Sequence, residues 1–372
     1  MHPLLRQDAR LLPRAEICGL IDRLTDNLVG ITDTTGEFLL HLDDGRVIDT
    51  KGWAGWEWTH GIGLYGLLTY WQLTGNPRAM EIIRGWFEDR LAEGTPTKNV
   101  NTVAPFLVAA HLYELDRDPK WLPYLDTWAD WVMHGMPRVE GGGLQHIVYD
   151  AVNPGQMWDD TLMMAVLPLA KIGLVLGRPE YIDEAKYQFL THAQYLADTR
   201  SGLWFHGWSF EGNHNFAGAL WARGNAWVTM VIPEFIELLD LKEGDPVRRH
   251  LQALLGRQAE ALRRTQDASG LWHTLLDDPQ SYLEASATAG FGYGLLKAVR
   301  KRYIGSEFTP VAERAVKAVI DNISPEGELR NVSFGTAMGA DLDHYRQIRL
   351  TSMPYGQAMA MVCLGEYLRT YI

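Results

Sequence analysis

Six times along the chain a glycine opens a short loop between runs of helical hydrophobic spacing. The loops are GEFLLH from Gly36, GTPTKNVN from Gly94, GGLQH from Gly142, GLWFH from Gly202, GLWHT from Gly270 and GELRN from Gly327. Taken at Gly36, Gly94, Gly143, Gly202, Gly270 and Gly327, the separations are 58, 49, 59, 68 and 57 residues. Two helices of ordinary length and their loops occupy about that much chain. A repeat of this size means that each helix pair buries its face against its neighbours. Six such pairs fill 372 residues and can close into a ring. The spacing therefore predicts an all-α fold, an (α/α)6 barrel of six helical hairpins, as one domain over residues 1–372. An open helical solenoid is the alternative, but it usually has a tighter repeat and no Trp- and Gly-rich loop at every period.

Apolar residues recur at helical spacing over 62–73, 104–115, 122–133, 162–176, 181–197, 228–239, 247–262 and 287–299. Strand signals are few and short, and no Pro-, Gly- or Ser-rich linker divides the chain. In a closed ring the glycine loops open on one end, which predicts a site there, built from several repeats.

A net charge of −12 argues against nucleic acid and anionic membranes as partners. No run of about 18 apolar residues occurs, so no membrane span is expected. The opening stretch MHPLLRQDARLLPRAEI lacks the apolar run of a signal peptide. Cys18 and Cys363 fit no metal-ligand spacing, and a reduced, cytoplasmic setting is the simplest reading, with a bridge between them left open. No HExxH, EF-hand loop, phosphate-binding loop or GxSxG is present, so neither metal nor cofactor is expected. The 14 Trp and 15 Tyr either fill the core or line a carbohydrate cleft, where flat rings stack on sugar faces.

Four segments carry the candidate chemistry. In 204–227 (WFHGWSFEGNHNFAGALWARGNAW), Arg223 stands between Trp221 and Trp227 near an expected helix start, with His206 upstream. Its planar fork either pairs a carboxylate on a ligand or closes a structural ion pair. In QMWDDTLMM, Asp159 and Asp160 precede a helical run. Either aspartate caps that helix, or one is a general acid whose pKa is raised by burial beside Trp158. Adjacent helical residues point about 100° apart, so at most one faces the cleft. In KNVNTVAP, Asn99 and Asn101 bond sugar hydroxyls or cap the next helix. In WAGWEWTHGIG, three Trp and His60 form a sugar platform or a packing corner.

The blocks GGGLQHIVYDAVNPGQMWDDTLMMAVLPLAKIG, GLWFHGW and WARGNAW resemble those of the unsaturated rhamnogalacturonyl hydrolases, glycoside hydrolase family 105. KNVNTVAP and SYLEASATAGFGYGL resemble further blocks of that family, and the likeness runs from about Trp53 to the C-terminus. The unsaturated glucuronyl hydrolases, family 88, share the scaffold and the chemistry. The resemblance implies an (α/α)6 barrel that acts on small oligosaccharides bearing a C4=C5 double bond, left by polysaccharide lyases at the non-reducing end. In that reaction an aspartic acid protonates C4 of the enol ether and water adds at C5. The hemiketal then collapses and frees the uronic acid. The resemblance places the acid at Asp160, with His206, Trp221, Arg223 and Trp227 around the sugar and Trp158 beside the acid. It implies one acid/base carboxyl in place of the usual glycosidase pair. Two departures stand out. Residues 139–160 contain no Lys or Arg, where some family members carry a basic residue. Asn101 stands where the glucuronyl branch has a second Asp, which favours the rhamnogalacturonyl branch. An epimerase or inverting glycosidase on the same barrel, and a sugar-binding ring without activity, are the competing readings.

Overall fold

A computed structural model describes residues 11–369. Residues 1–10, part of the stretch read above for a signal peptide, lie outside them. In chain order the helices are α1 (Arg14–Gly30), α2 (Trp58–Thr74), α3 (Pro77–Glu93), α4 (Val100–Val103), α5 (Phe106–Asp116), α6 (Leu122–Asp130), α7 (Leu167–Leu176), α8 (Pro179–Leu196), α9 (Ala222–Leu238), α10 (Pro246–Thr265), α11 (Ala285–Arg300), α12 (Thr309–Asp321), α13 (Leu342–Arg346) and α14 (Pro354–Leu368). Setting aside the short α4 and α13, twelve main helices among the described residues alternate between two concentric rings. The inner ring runs α2, α5, α7, α9, α11, α14, and α14 returns to pack on α2. This is the (α/α)6 barrel expected from the repeat. The eight periodic segments all lie in helices, to which the structure adds α1, α3, α12 and α14.

Hydrophobic patterning decides which ring a helix joins. The inner α14 reads PYGQAMAMVCLGEYL and is buried at every position, as expected of a helix that is apolar all round. The outer α12 buries one stripe, Val311, Ala312, Ala315, Val316 and Val319. Close inner packing needs small residues. A Cβ on Gly290 of α11 would come within 2.8 Å of Met359 Cε on α14 and 2.9 Å of Ala226 Cβ on α9, an overpacked position for anything larger.

The recurring loop glycines have a backbone reason. Gly36, Gly94, Gly202, Gly270 and Gly327 all have positive φ, which only glycine adopts freely. In the third loop Gly141 and Gly142 take that role, and Gly143 does not. The turns also dock on the next outer helix. A Cβ on Gly202 would lie 2.7 Å from the Arg257 carbonyl of α10, and one on Gly270 would lie 2.6 Å from the Arg314 carbonyl of α12. Gly327, in the last repeat, presses in the same way on the backbone of Arg23 in α1, which closes the ring.

Three short antiparallel ribbons sit in these loops: β1 (Leu39–His41) with β2 (Val47–Asp49), β3 (Gln156–Trp158) with β4 (Gly207–Ser209), and β5 (Trp272–His273) with β6 (Leu283–Glu284). All three lie where inner helices begin. The other end, where inner helices finish, carries ion pairs. Among them are Lys171 with Glu114 at 2.6 Å, Lys297 with Glu237 at 2.8 Å, and Arg300 with Glu366. Cys18 is half-buried and Cys363 buried; both are free thiols. Among the described residues no helix is long and apolar enough to cross a membrane.

Candidate active site

A cleft of about 550 Å³ opens at the end of the barrel where the inner helices begin. Inner-helix starts and the loops before them supply its walls: Trp58 from α2, Asn101 from α4, Trp227 from α9 and Tyr355 from α14 among them. Backbone N–H groups at these helix starts give that end partial positive character.

Asp160 is at the heart of the cleft. The β3–β4 pairing sets Trp158 opposite Gly207, and the Asp159 N–H bonds the His206 carbonyl at 3.0 Å. The chain then turns into a π-helical segment, Leu162–Val166, that leads into α7. The Met163 and Met164 N–H groups both bond the Asp160 carbonyl at 3.0 Å. Asp160 thus ends a short strand and begins an inner helix, with its side chain 18% exposed to the cleft. Burial pushes its carboxyl up to about 7, against the opposing pull of the Arg223 charge. The ordinary value for an aspartic acid is near 4.

Two histidines frame Trp158. His146 stacks on it at 4.0 Å between ring centres and 8° between planes, and His206 meets it edge-on at 5.3 Å. His146 Nδ1 lies 2.8 Å from the Thr161 hydroxyl and 3.4 Å from Asp160 Oδ1. Burial lowers the His146 imidazole to about 3, so its contact with Asp160 is polar and not ionic. His146 lines the cleft. It ends the GGLQH loop, but nothing in that loop set it apart from the other loop histidines. His206 was expected around the sugar, yet it is buried and does not reach the cleft wall. Its Nδ1 is 2.8 Å from the Tyr345 hydroxyl and its ring packs 4.3 Å from Trp221. It supports Trp158 and Trp221 from behind.

Asn101, Trp158, Asp160, Trp221, Arg223 and Trp227 all line the cleft. The two asparagines of KNVNTVAP divide the roles left open for them. Asn99 caps α4 through the Asn101 and Thr102 N–H groups, at 2.9 and 3.2 Å, while Asn101 faces the cleft. WAGWEWTHGIG divides as well. Trp53, Trp56 and His60 pack around Trp86. Trp58 reaches the cleft, stacked on Tyr355 at 4.6 Å and edge-on to Trp227 at 5.7 Å.

Asp159 does not cap a helix. Its carboxyl is fully buried with neither oxygen hydrogen-bonded, and it lies against Gly224, where a Cβ would come 2.7 Å from Oδ1. Burial, then the neighbouring Asp160, push it well above the usual carboxylate range. The Arg223 fork, read as pairing either a ligand carboxylate or a structural partner, is engaged within the protein. One terminal nitrogen donates to the Ser333 carbonyl at 3.0 Å and to the Ser333 hydroxyl. The other donates to the Phe334 carbonyl at 2.9 Å and the Thr336 hydroxyl at 3.0 Å. Glu284 lies 3.7 Å away, and Trp221 and Tyr355 cover the guanidinium at 4.7 and 5.0 Å.

The arrangement is a sugar-sized cleft with aromatic walls and two carboxyls, Asp160 and the more enclosed Glu57, that keep their protons up to about neutral pH. It suits general-acid chemistry on a carbohydrate. Comparisons with known proteins agree. Residues 30–371 match the family described as Glycosyl Hydrolase Family 88. The chain is 32% identical over 318 residues to the unsaturated rhamnogalacturonyl hydrolase YesR of Bacillus subtilis, a match covering 85% of this chain and 90% of that protein. It is 64% identical, with a TM-score of 0.98, to the crystal structure of a possible member of the GH105 family from Salmonella enterica serovar Paratyphi A, over 100% of this chain and 98% of that one. The unsaturated glucuronyl hydrolase of Bacillus sp. GL1 shares the fold, with a TM-score of 0.70 at 19% identity over 95% of this chain and 96% of that one. On its sequence and its barrel alike, the chain belongs to Glycosyl Hydrolase Family 88.

Proposed function

We propose that this glycoside hydrolase releases the 4,5-unsaturated uronic acid from the non-reducing end of lyase-generated rhamnogalacturonan oligosaccharides, with Asp160 as the catalytic acid. One observation carries the assignment of Asp160. Asp160 lines the aromatic cleft beside Trp158 with its side chain 18% exposed there, and burial holds it protonated to about pH 7. Family membership and the likeness to a rhamnogalacturonyl hydrolase support the substrate class.

In the reaction, the Asp160 proton goes to C4 and the double-bond electrons form the new C–H bond. Positive charge develops at C5 and is shared with the ring oxygen. Water attacks C5 and gives a proton back to the Asp160 carboxylate. The resulting hemiketal opens to a 5-keto sugar, and the free hydroxyl left at C1 completes loss of the neighbouring sugar. In this account His146, fixed by the Thr161 hydroxyl, lies against the carboxyl, while Trp58, Trp158, Trp221 and Trp227 shape the sugar subsite. Asn101 offers hydrogen bonds to hydroxyls. Arg223 acts through the 333–336 wall that it secures. We read the barrel as a single catalytic domain. The free thiols suit a reducing cytoplasm.

The test is direct: the conjugated enol-ether carboxylate absorbs in the ultraviolet, and the protein should abolish that absorbance in lyase-digested rhamnogalacturonan. A substrate that keeps its absorbance while being cleaved would indicate an ordinary glycosidase. The pH response is also set by Asp160. A general acid works in its protonated form, so kcat/KM should hold below about pH 7 and fall about tenfold per unit above it. A profile still rising well above neutrality would reassign the carboxyl as a base. Hydration of an enol ether needs a proton donor and water, so activity should survive exhaustive chelation. Loss on chelation with recovery on adding a divalent ion would overturn this mechanism.

A further inference from the structure

An unsaturated uronate is an anion, yet the cleft offers it little positive charge. Arg223 is the one Lys or Arg among the described residues that line it, and both its terminal nitrogens are engaged by Ser333, Phe334 and Thr336. His146, on the same wall, is neutral. Recognition must therefore rest on neutral donors, and Glu57 is placed to be one. It stands at the start of α2, 5% exposed, on the wall of the cleft. One carboxyl oxygen accepts the Trp58 N–H at 3.3 Å, and the backbone N–H of Glu57 donates to His60 Nδ1 at 3.0 Å. These contacts fix the side chain as the cap of an inner helix. Asn101, on the short α4, lines the same cleft.

We propose that Glu57 is a substrate-binding residue that works as a neutral acid, donating a hydrogen bond to the uronate while the start of α2 holds it in place. This rests on the substrate reading given above. A protonated carboxyl meets a carboxylate without like-charge repulsion, and a hydrogen bond to a charged acceptor is among the stronger ones. The surroundings favour the neutral form. Burial raises the Glu57 carboxyl to about 8, and the charge of Asp150 adds to the shift. Asp150 and Tyr149 face it from the 146–156 loop. His60 of its own helix is held neutral by burial, at about 4. An anionic ligand would strengthen the preference for the protonated form. The sign follows: binding is intact below about pH 8 and weakens as pH rises through that value.

The experiment isolates binding from Asp160. In the Asp160→Asn background, calorimetry with the unsaturated disaccharide from lyase-digested rhamnogalacturonan gives Kd as a function of pH. Kd should be flat up to about neutrality and then rise about tenfold per unit above pH 8. Adding Glu57→Gln, which keeps the size and a neutral donor, should remove that rise. Adding Glu57→Ala should weaken binding about ten- to a hundredfold at pH 6. An unchanged alkaline rise in the Gln variant, or an Ala variant that binds within twofold of its parent, overturns the proposal. If loss of the helix cap unfolds the Ala variant in a thermal melt, the Gln profile decides alone. Failure of the substrate reading shows separately, as wild-type protein that leaves the enol-ether absorbance untouched.

Discussion

Asp160→Asn should lower kcat by about 100- to 10,000-fold, the usual contribution of a positioned acid, and leave the protein folded and able to bind. Protonation of the enol-ether carbon is the demanding step, and an amide of the same shape has no comparable acidic proton to give. The Asp160 side chain makes few contacts that an amide would break. Its Oδ1 is buried without a hydrogen bond, and a neutral imidazole lies 3.4 Å away. Asp159→Asn is the matched control. Asp159 is enclosed against Gly224, out of reach of substrate, with its carboxyl pushed toward the neutral form. A neutral amide of the same size should change kcat by less than about tenfold, well inside the range expected for the acid itself. Burst-free steady-state assays on both variants, with Kd from calorimetry, check the ranking. If Asp159→Asn is the more damaging of the two, the catalytic role passes to Asp159. If both retain near-full activity, the WDDT motif has no part in the chemistry.

The contrast between these neighbours shows how far the sequence can be read. Helical geometry states that adjacent residues diverge, so one of the pair would face the cleft. The resemblance indicated which one. What no local pattern indicated is that Asp159 would be enclosed without a polar partner, because its neighbour Gly224 lies 65 residues away on α9. The barrel itself was legible because its cause is periodic: each repeat carries a positive-φ glycine turn, and in the last three repeats that turn presses on the next outer helix. His146 and His206 occupy the same place in two of these loops, and the loop pattern gave no means of telling the one on the cleft wall from the one behind it. That difference arises only when β3 pairs with β4 and sets Trp158 between them. Glu57 was hidden for a related reason. Glutamate is not among the residues that commonly cap a helix start, so nothing nearby marks it as the cap of α2 or says that this end faces a cleft.

Arg223→Ala should destabilise the fold by about 3–5 kcal/mol, the range for removing one partner of a buried pair. Arg223 and Glu284 are each 1% exposed. Glu284 also organises its surroundings. It accepts the Ser333 N–H at 2.8 Å and the Ser286 hydroxyl at 2.7 Å, and it caps α11 through the Ala287 N–H. Without the guanidinium, a carboxyl is left enclosed beside wall carbonyls that have lost their donors. The 333–336 segment then has little to hold its shape, so kcat/KM should fall as well. Arg223→Lys keeps the charge but not the fork, and a compact ammonium cannot span Ser333, Phe334 and Thr336 together. It should therefore lose stability along with affinity, and that separates a wall-holding arginine from one that only pairs the ligand. Chemical unfolding midpoints and kcat/KM for both variants make the comparison. Arg223→Met combined with Glu284→Gln should recover part of the lost stability, because the stranded charge is then gone. Unfolding at the wild-type denaturant concentration in Arg223→Ala, with only KM raised, would return Arg223 to the ligand and leave the wall to be held by other contacts.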